Sequence, residues 1–334
     1  MLKKTVKTAC ILVILVFGTT GSFGVSASDV PSTVDITDPY LKSVINRALK
    51  KKYENYKDPV TLEELQSLKE LYASDFHIKD LKGLECATNL EELYLANNEI
   101  TDISPLGGLI KLKTLILENN EIEDADCLKS STNLIRLDLS GNNITRIDFM
   151  AELGQIGWFD CCDNKIEDIS SLRNLNKLNI LDISNNHISS IEPLSRLASL
   201  NLLDISCNFI PDISHLKKSQ EIYELWAVGN QISDISVLEY MPNLRHLNLN
   251  ENKIQKIEVL GHLIYLISLG LDGNIIGDIS PLVGLNQLGL LNIAYNPIAD
   301  YSPLEKLPQL EKLWVTKGVN LPLEDTDDII VEYV

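Results

Sequence analysis

The chain has 334 residues, 45% of them hydrophobic, and its 47 acidic and 29 basic residues give a net charge of −18 at pH 7. Such an acidic surface repels nucleic acid and anionic lipid, which argues against a nucleic-acid-binding protein, and it attracts basic partners or cations. Solubility is the plainer explanation for most of this charge.

Residues 1–27 have the three parts of a secretory signal peptide. Three lysines among the first seven residues precede an apolar run from Ala9 to Phe17, and small residues end at Ala27. We expect cleavage after Ala27, which changes the net charge from −18 to −21 by removing the three lysines. A membrane span needs about 20 apolar residues, so we expect no membrane insertion. The protein is predicted to be secreted, or extracellular and loosely associated with the cell surface.

Residues 28–67 are predicted to form a helical N-terminal cap. Apolar residues recur at helical spacing between Asp38 and Lys51, with Thr37 as the expected N-cap and Pro39 in the first turn. Thr61 and Glu64 match a capping box that opens a second short helix. A stack of repeats needs such a cap because its open end would otherwise expose core leucines.

A 22-residue frame, LxxLxLxxNxIxxIxxLxxLxx, recurs without insertion or deletion from Leu68 to Gln309. This range holds eleven full coils, and a partial twelfth starts at Leu310, so we assign residues 68–320 to leucine-rich repeats and 321–334 to a C-terminal tail. Each coil cannot bury its own leucines, so coils stack around a shared core. We number the coils from 1 to 12 and the positions within each coil from 1 to 22.

The frame predicts an α/β repeat solenoid, a curved leucine-rich-repeat stack. Positions 4 and 6 alternate with polar positions as in a strand, so the stacked strands should form a parallel sheet that lines the concave side. On the convex side, sequences such as Ser104-Pro105 predict short helical or 3-10 turns with serine as cap and proline as first residue. The aspartates before them, such as Asp102 and Asp168, are interpreted as solvated turn residues. The tail should add a strand from Ile329 to Val334.

Position 9 holds an unbroken column of asparagines. A buried amide there can bond to the backbone of its own coil and of its neighbour, so we predict a structural role. The column consists of Asn98, Asn120, Asn142, Asn164, Asn186, Asn208, Asn230, Asn252, Asn274 and Asn296.

The segment from Asp38 to Leu84, followed by repeats with NNEITDISPLGGL, resembles the helical cap and 22-residue repeats of the internalin family. The resemblance implies a secreted or surface protein of Gram-positive bacteria that binds a host protein through its concave face, with a role in virulence. Internalins usually continue into an immunoglobulin-like domain, and many carry a sortase signal. The sequence has no LPxTG motif, so covalent wall anchoring is not expected.

Positions 3 and 5 should face solvent on the concave side. Position 5 is aspartate in four consecutive coils, and position 3 is apolar in three of them, so we predict an acidic row beside an apolar row. Tryptophan is frequent at binding hot spots. The predicted partner-binding residues are Tyr94, Asp138, Trp158, Asp160, Ile180, Asp182, Leu202, Asp204 and Trp226. Their partner would be a protein with a basic and apolar surface.

Two other interpretations of the acidic row remain open. Aspartate at position 5 is common in leucine-rich repeats, so the row alone could be a feature of the repeat. The row, with Asp163, could also bind calcium, although strand aspartates in one column supply few ligands to any one point.

The double cysteine Cys161-Cys162 suggests a metal or redox site, but the register opposes it. Cys161 falls at a core position and Cys162 at an outward one, so the two point in opposite directions. Cys207 lies two coils away from Cys162, about 10 Å by strand spacing, which is too far for an easy disulfide. We therefore predict no metal site and no cofactor.

The histidines fall at unrelated coil positions and no nucleophile shares a coil with His246, the only one expected on the concave side, so we predict that the protein is not an enzyme. An alternative function is an envelope scaffold or inhibitor that binds a protein of the same bacterium. We expect a monomer, with end-to-end pairing of copies possible through the thinly capped C-terminal end.

Overall fold

The computed structural model describes residues 33–51, 58–322 and 329–334, so the predicted signal peptide lies outside the described residues. No helix in these ranges is long and apolar enough to cross a membrane. The N-terminal part contains a two-stranded antiparallel sheet of β1 (Thr33–Val34) and β2 (Val60–Thr61), and two helices, α1 (Pro39–Ala48) and α2 (Leu62–Ser67).

Within the described residues, thirteen parallel strands follow in one sheet, in chain order from one end to the other. Each residue of strands β3 to β13 pairs with the residue 22 positions further on, for example Glu70 with Glu92, and this confirms the predicted register. The last pair, β14 with β15, joins Lys312 to Ile330, 18 positions on. The strands are β3 (Glu70–Tyr72), β4 (Glu92–Tyr94), β5 (Thr114–Ile116), β6 (Arg136–Asp138), β7 (Trp158–Asp160), β8 (Ile180–Asp182), β9 (Leu202–Asp204), β10 (Glu224–Trp226), β11 (His246–Asn248), β12 (Ser268–Gly270), β13 (Leu290–Asn292), β14 (Lys312–Val315) and β15 (Ile330–Tyr333).

Short 3-10 helices on the convex side face this sheet across a single core. Leucines at position 4, such as Leu93 and Leu181, are fully buried, as are those at the convex position 17, such as Leu106. Each buried leucine contributes about 1.5–3 kcal/mol relative to an exposed one. The convex 3-10 helices are Leu84–Cys86, Ser104–Gly108, Asp126–Ser130, Asp148–Glu152, Ser170–Leu172, Glu192–Arg196, Ser214–Lys218, Ser236–Tyr240, Glu258–His262, Ser280–Gly284 and Ser302–Lys306.

The asparagines at position 9 tie each coil to the one before it. The Asn186 side-chain amide donates to the carbonyl of Ile183 in its own coil, at 3.2 Å, and to that of Cys161 in the preceding coil, at 3.0 Å. Its Oδ1 accepts from the backbone N–H of Ile166, also in the preceding coil, at 2.9 Å. The same pattern runs from Asn98 to Asn296. Every amide in the column therefore meets its hydrogen-bonding requirement within the core.

The prediction that Thr37 is the N-cap of α1 was wrong. Asp38 is the N-cap of α1, because its Oδ1 accepts from the N–H groups of Tyr40 and Leu41 at 2.8 and 3.0 Å. Its Oδ2 accepts from the N–H of Lys79 at 2.9 Å, which joins the cap to the first coil. Thr37 donates to the Asp80 carboxylate instead. The capping box of Thr61 and Glu64 is confirmed.

In most convex turns an aspartate, rather than the expected serine, accepts the first backbone N–H of the 3-10 helix. Asp102 Oδ1 accepts from the backbone N–H of Ser104 at 2.8 Å, and Asp102 Oδ2 accepts from the Ser104 hydroxyl at 3.0 Å. The 3-10 helix begins at Ser104, so Pro105 is its second residue. An aspartate that bonds two residues ahead satisfies a turn donor, so these aspartates are more than solvated turn residues.

Position 8 has a left-handed backbone in coils 1 to 11, with φ between +48° and +66°. Asparagine, aspartate and glycine fill most of these sites, as expected from their tolerance of this region. Cys207, Glu251 and Tyr295 are the exceptions, at φ of 53°, 56° and 48°. Their side chains carry a steric cost that asparagine would reduce.

We predict that Glu251→Asn raises the free energy of unfolding by about 0.5–1 kcal/mol. Urea unfolding followed by circular dichroism would measure the change. The reverse substitution at an equivalent site, Asn185→Glu, should lower stability by a similar amount. Equal effects of the same sign for the two variants would contradict this account of position 8.

Candidate functional site

The concave sheet presents positions 3, 5 and 7 of each coil. Neighbouring strands lie about 4.8 Å apart, so the residues at one position form a column across the sheet. Column 5 contains Asp138, Asp160, Asp182 and Asp204 on the neighbouring strands β6 to β9, paired in register. The structure therefore brings the four predicted aspartates together.

Each of these aspartates is anchored to its own strand by one oxygen. Oδ1 accepts from the backbone N–H two residues ahead: from Ser140 and Cys162 at 3.0 Å, from Ser184 at 2.9 Å and from Ser206 at 2.8 Å. This contact pulls the carboxylate towards the sheet. The four aspartates are consequently less exposed than expected for positions that face solvent, since Asp138 and Asp204 are only 7% and 8% exposed, and Asp160 and Asp182 are half-buried.

Burial and crowding of like charges disturb the ionisation of this column. Burial raises the pKa of Asp160 to about 7, with the neighbouring Asp182 and Asp138 charges adding to the effect. Burial likewise raises the pKa of Asp204 to about 6, with a contribution from Asp182, and it raises the pKa of Asp182 itself. Among the described residues none of these four aspartates forms a salt bridge. In the described part of the chain, therefore, no cation is paired directly with a carboxylate of this column.

The apolar column beside it is less exposed than expected. Trp158, Ile180 and Leu202 are each half-buried. Arg136, on the preceding strand, covers the Trp158 ring with its guanidinium carbon 4.3 Å from the ring centroid. Half-buried apolar groups that border an acidic row still offer contact area to a partner.

Two further predicted residues lie on opposite sides of the acidic column, at different distances from it. Trp226, on the next strand beyond Asp204, is 44% exposed. Tyr94, two strands before Asp138, is half-buried and stacks on Tyr72 with ring centroids 4.7 Å apart. Tyr94 therefore belongs to a separate aromatic pair at the N-terminal end of the sheet.

The two adjacent cysteines lie on opposite sides of the sheet, as the register predicts. Cys161 is fully buried, whereas Cys162 is half-buried on the concave side. One ligand atom each from Asp160, Cys162 and Asp182 lie within 4.8 Å of one another. Thiol ligands do not suit calcium, and burial together with the Asp160 and Asp182 charges raises the pKa of Cys162 far above its usual value. The thiol is thus protonated and a poor nucleophile at neutral pH.

A hollow of about 480 Å³ on the C-terminal half of the concave face was missed by the sequence reasoning. It spans strands β10 to β14, and Gly270 lies at its centre in column 5. Glycine at a position where all other coils carry a side chain was a signal that could have revealed it. Its lining includes Glu224, Trp226, His246, Asn248, Asn250, Ser268, Leu290, Asn292 and Trp314.

The comparisons with known proteins agree with this architecture. A family model described as leucine-rich repeats, two copies, matches residues 66–108, 88–130, 158–196 and 224–262, and a single leucine-rich-repeat model matches residues 130–146. No curated protein matches the chain in sequence. The chain is a leucine-rich-repeat protein.

Several solved leucine-rich-repeat structures are similar to this chain. An internalin (inlF) from Listeria monocytogenes is 29% identical, with a TM-score of 0.62 over 88% of this chain and 100% of that one. A leucine-rich-repeat protein of Leptospira interrogans, 21% identical, has a TM-score of 0.70 over 82% of this chain and 81% of its own. A plant peptide hormone receptor, RGFR1 in complex with RGF2, is 19% identical, with a TM-score of 0.62 over 75% of this chain and 49% of its own. The last two show the fold alone. The protein is internalin-like.

We predict that Asp160→Asn stabilises the protein at pH 8 by about 1–2 kcal/mol and much less at pH 5. Burial raises the folded-state pKa of Asp160 to about 7, above the ordinary value of 3.8 for an aspartate. The folded state therefore retains this proton more readily, and stability is lost as pH rises from about 4 through 7. Asparagine does not titrate, and its oxygen can still accept from Cys162.

Denaturant unfolding at both pH values would test this prediction. The exposed variant Glu167→Gln serves as control and should leave the pH dependence unchanged. A stabilisation by Asp160→Asn that is the same at pH 5 and pH 8 would show that charge at position 160 is not responsible.

Proposed function

We propose that the protein is a secreted, non-enzymatic binding module that recognises a protein partner through its concave face. The central contact surface would consist of columns 3 and 5 in coils 4 to 7, here called the central patch. Its residues are Asp138, Trp158, Asp160, Ile180, Asp182, Leu202 and Asp204, together with Arg136, which covers Trp158. Trp226 lies on the adjoining strand, and Tyr94 lies two strands away on the other side.

The observation that carries this proposal is the uncompensated acidic column. Four carboxylates stand on neighbouring strands, about 4.8 Å apart, and none has a salt-bridge partner among the described residues. Like charges at this spacing repel one another, so the column gains from a cationic partner. A partner that presents lysine or arginine would bind with electrostatic steering and would favour the ionised state.

The apolar column beside the carboxylates makes a protein partner more suitable than a small cation. Trp158, Ile180 and Leu202 adjoin Asp160, Asp182 and Asp204 along their strands. Apolar and aromatic contacts next to charged ones are the usual composition of a protein interface. The similarity to an internalin supports the same interpretation and favours a host protein as partner, with a role in virulence. An envelope protein of the same bacterium is the alternative.

The proposal can be tested by crosslinking capture followed by a direct affinity measurement. The secreted protein would be incubated separately with host-cell surface extract and with bacterial envelope extract, and the captured proteins identified by mass spectrometry. Capture from only one extract distinguishes the host partner from the envelope partner. The recombinant partner would then be titrated by surface plasmon resonance.

We expect the double variant Trp158→Ala/Asp182→Lys to weaken binding by about 100-fold, since a buried aromatic anchor alone is worth 2 kcal/mol or more. Asp182→Asn, which keeps the oxygen that accepts from Ser184, should weaken binding less and reduce its salt dependence. Glu167→Lys, exposed and away from the strands, is the matched charge control. Unchanged affinity of the double variant, or equal loss with the control, would exclude the central patch.

A further inference from the structure

The hollow is centred on Gly270, which has no side chain. A Cβ at position 270 would lie 2.5 Å from Asn248 Oδ1 and 2.7 Å from Asn250 Oδ1, much closer than any real contact. Any larger residue would therefore displace both amides. Gly270 forms the bottom of the hollow on β12, between strands β11 and β13. The amides of Asn248 and Asn250 lie beside it.

Three asparagine amides line this hollow in one fixed orientation. Asn248 Oδ1 accepts from the backbone N–H of Asn250 at 3.1 Å, and Asn292 Oδ1 accepts from that of Ala294 at 3.2 Å. Asn250 Oδ1 accepts from the N–H of Asp272 at 2.8 Å. Because a backbone N–H can only donate, each amide must turn its oxygen to the sheet. The three NH₂ groups are left without an acceptor within the described part of the chain.

This arrangement is the reverse of that in the central patch. There, aspartates use the same Oδ1 contact at the same position 5 and are left with a second oxygen, an acceptor. Asparagine in coils 9 and 11 has a donor in its place. The two halves of the concave face thus require opposite hydrogen-bonding groups from a ligand.

Apolar side chains border the donor-rich floor. Trp226 is 44% exposed and Leu290 is 37% exposed. Trp314 lies at the far end of the hollow. The Lys312 Nζ atom is 4.5 Å from the centroid of the Trp314 ring, and Trp314 Nε1 donates to Glu332 at 2.6 Å. Trp226 and Trp314 are separated by four strand intervals, about 19 Å, which matches five or six extended residues.

The charges around the hollow oppose an acidic ligand. Glu224 is part of the lining, and Asp272 follows Gly270 by two residues with a buried Oδ1 that accepts no hydrogen bond from the described residues. The ammonium group of Lys312, which lies over the Trp314 ring, is already paired with Glu332 at 2.7 Å. Acceptors for the three NH₂ groups should therefore be uncharged. Amide carbonyl oxygens meet this requirement, and an extended polypeptide supplies them in a row.

We propose that the hollow around Gly270 is a second subsite of the concave face, which binds an uncharged, apolar-tipped segment of the protein partner. The carbonyl groups of this segment accept hydrogen bonds from Asn248, Asn250 and Asn292, and its apolar side chain contacts Trp226 and Leu290. This inference rests on the proposed function, because it assigns a partner segment to the same face.

The probe is a phage-displayed library of random twelve-residue peptides, selected on the immobilised secreted protein. Affinities of the selected peptides are then measured for wild type and variants by fluorescence polarisation. The decisive variant is Asn248→Asp/Asn292→Asp, which keeps the oxygens bonded to the backbone and replaces two donors by acceptors. Aspartate already occupies position 5 in coils 4 to 7, so this variant is compatible with the fold. Gly270→Val, whose side chain would enter the hollow and displace the Asn248 and Asn250 amides, is a second test.

We expect the selected peptides to be poor in aspartate and glutamate and to share one large apolar residue. They should lose at least tenfold in affinity with either variant, and the matched central-patch control Asp182→Asn should leave their affinity unchanged. Acidic peptides, affinities insensitive to both variants, or binding of neutral oligosaccharides but not peptides at this hollow would overturn the inference. If selected peptides lose affinity only with Trp158→Ala/Asp182→Lys, the inference fails and the proposed function stands. If no peptide responds to any concave variant, both fail.

Discussion

The structure depends on the hydrogen bonds that each position 9 asparagine makes across the boundary between two coils. Asn186 bonds to Cys161 and Ile166 of the preceding coil as well as to its own turn. Such a side chain fits only if the neighbouring coil is in one register, because its donors and acceptor must meet fixed backbone atoms. The unbroken period of 22 from Leu68 to Gln309 follows from this requirement. It is also the reason that equivalent residues of successive coils form straight columns.

Columns of this kind turn a local choice of residue into a property of a surface. Aspartate and asparagine at position 5 make the same contact with the strand, yet they leave an acceptor and a donor, respectively, on the concave side. Coils 4 to 7 thereby become acidic and coils 9 to 11 donor-rich without any change in the backbone. A partner that spans both halves would need a basic region next to a neutral one, which is a demanding specificity requirement.

The repeat register was predictable from sequence because leucine spacing fixes which way each Cβ points. The exposure of each side chain within a column could not be predicted in this way, because it depends on contacts with neighbouring residues. The strand N–H groups draw the carboxylates of Asp138 and Asp204 towards the sheet, and Trp158 is half-covered because Arg136 in the preceding coil reaches over it. The cap of α1 was misplaced by one residue because Asp38, unlike Thr37, has a second oxygen that can also bind Lys79. The hollow depends on an absent side chain at Gly270, which a search for functional groups overlooks.

The direct test of the asparagine column is the free energy of unfolding of Asn186→Leu, from urea denaturation. Leucine has a similar volume but leaves buried backbone groups of two coils unpaired, so we predict a loss of about 2–4 kcal/mol. The exposed Asn176→Leu variant should change stability by less than about 0.5 kcal/mol. Equal and small effects of the two substitutions would contradict the claim that these amides hold the coils, and hence the concave columns, in register.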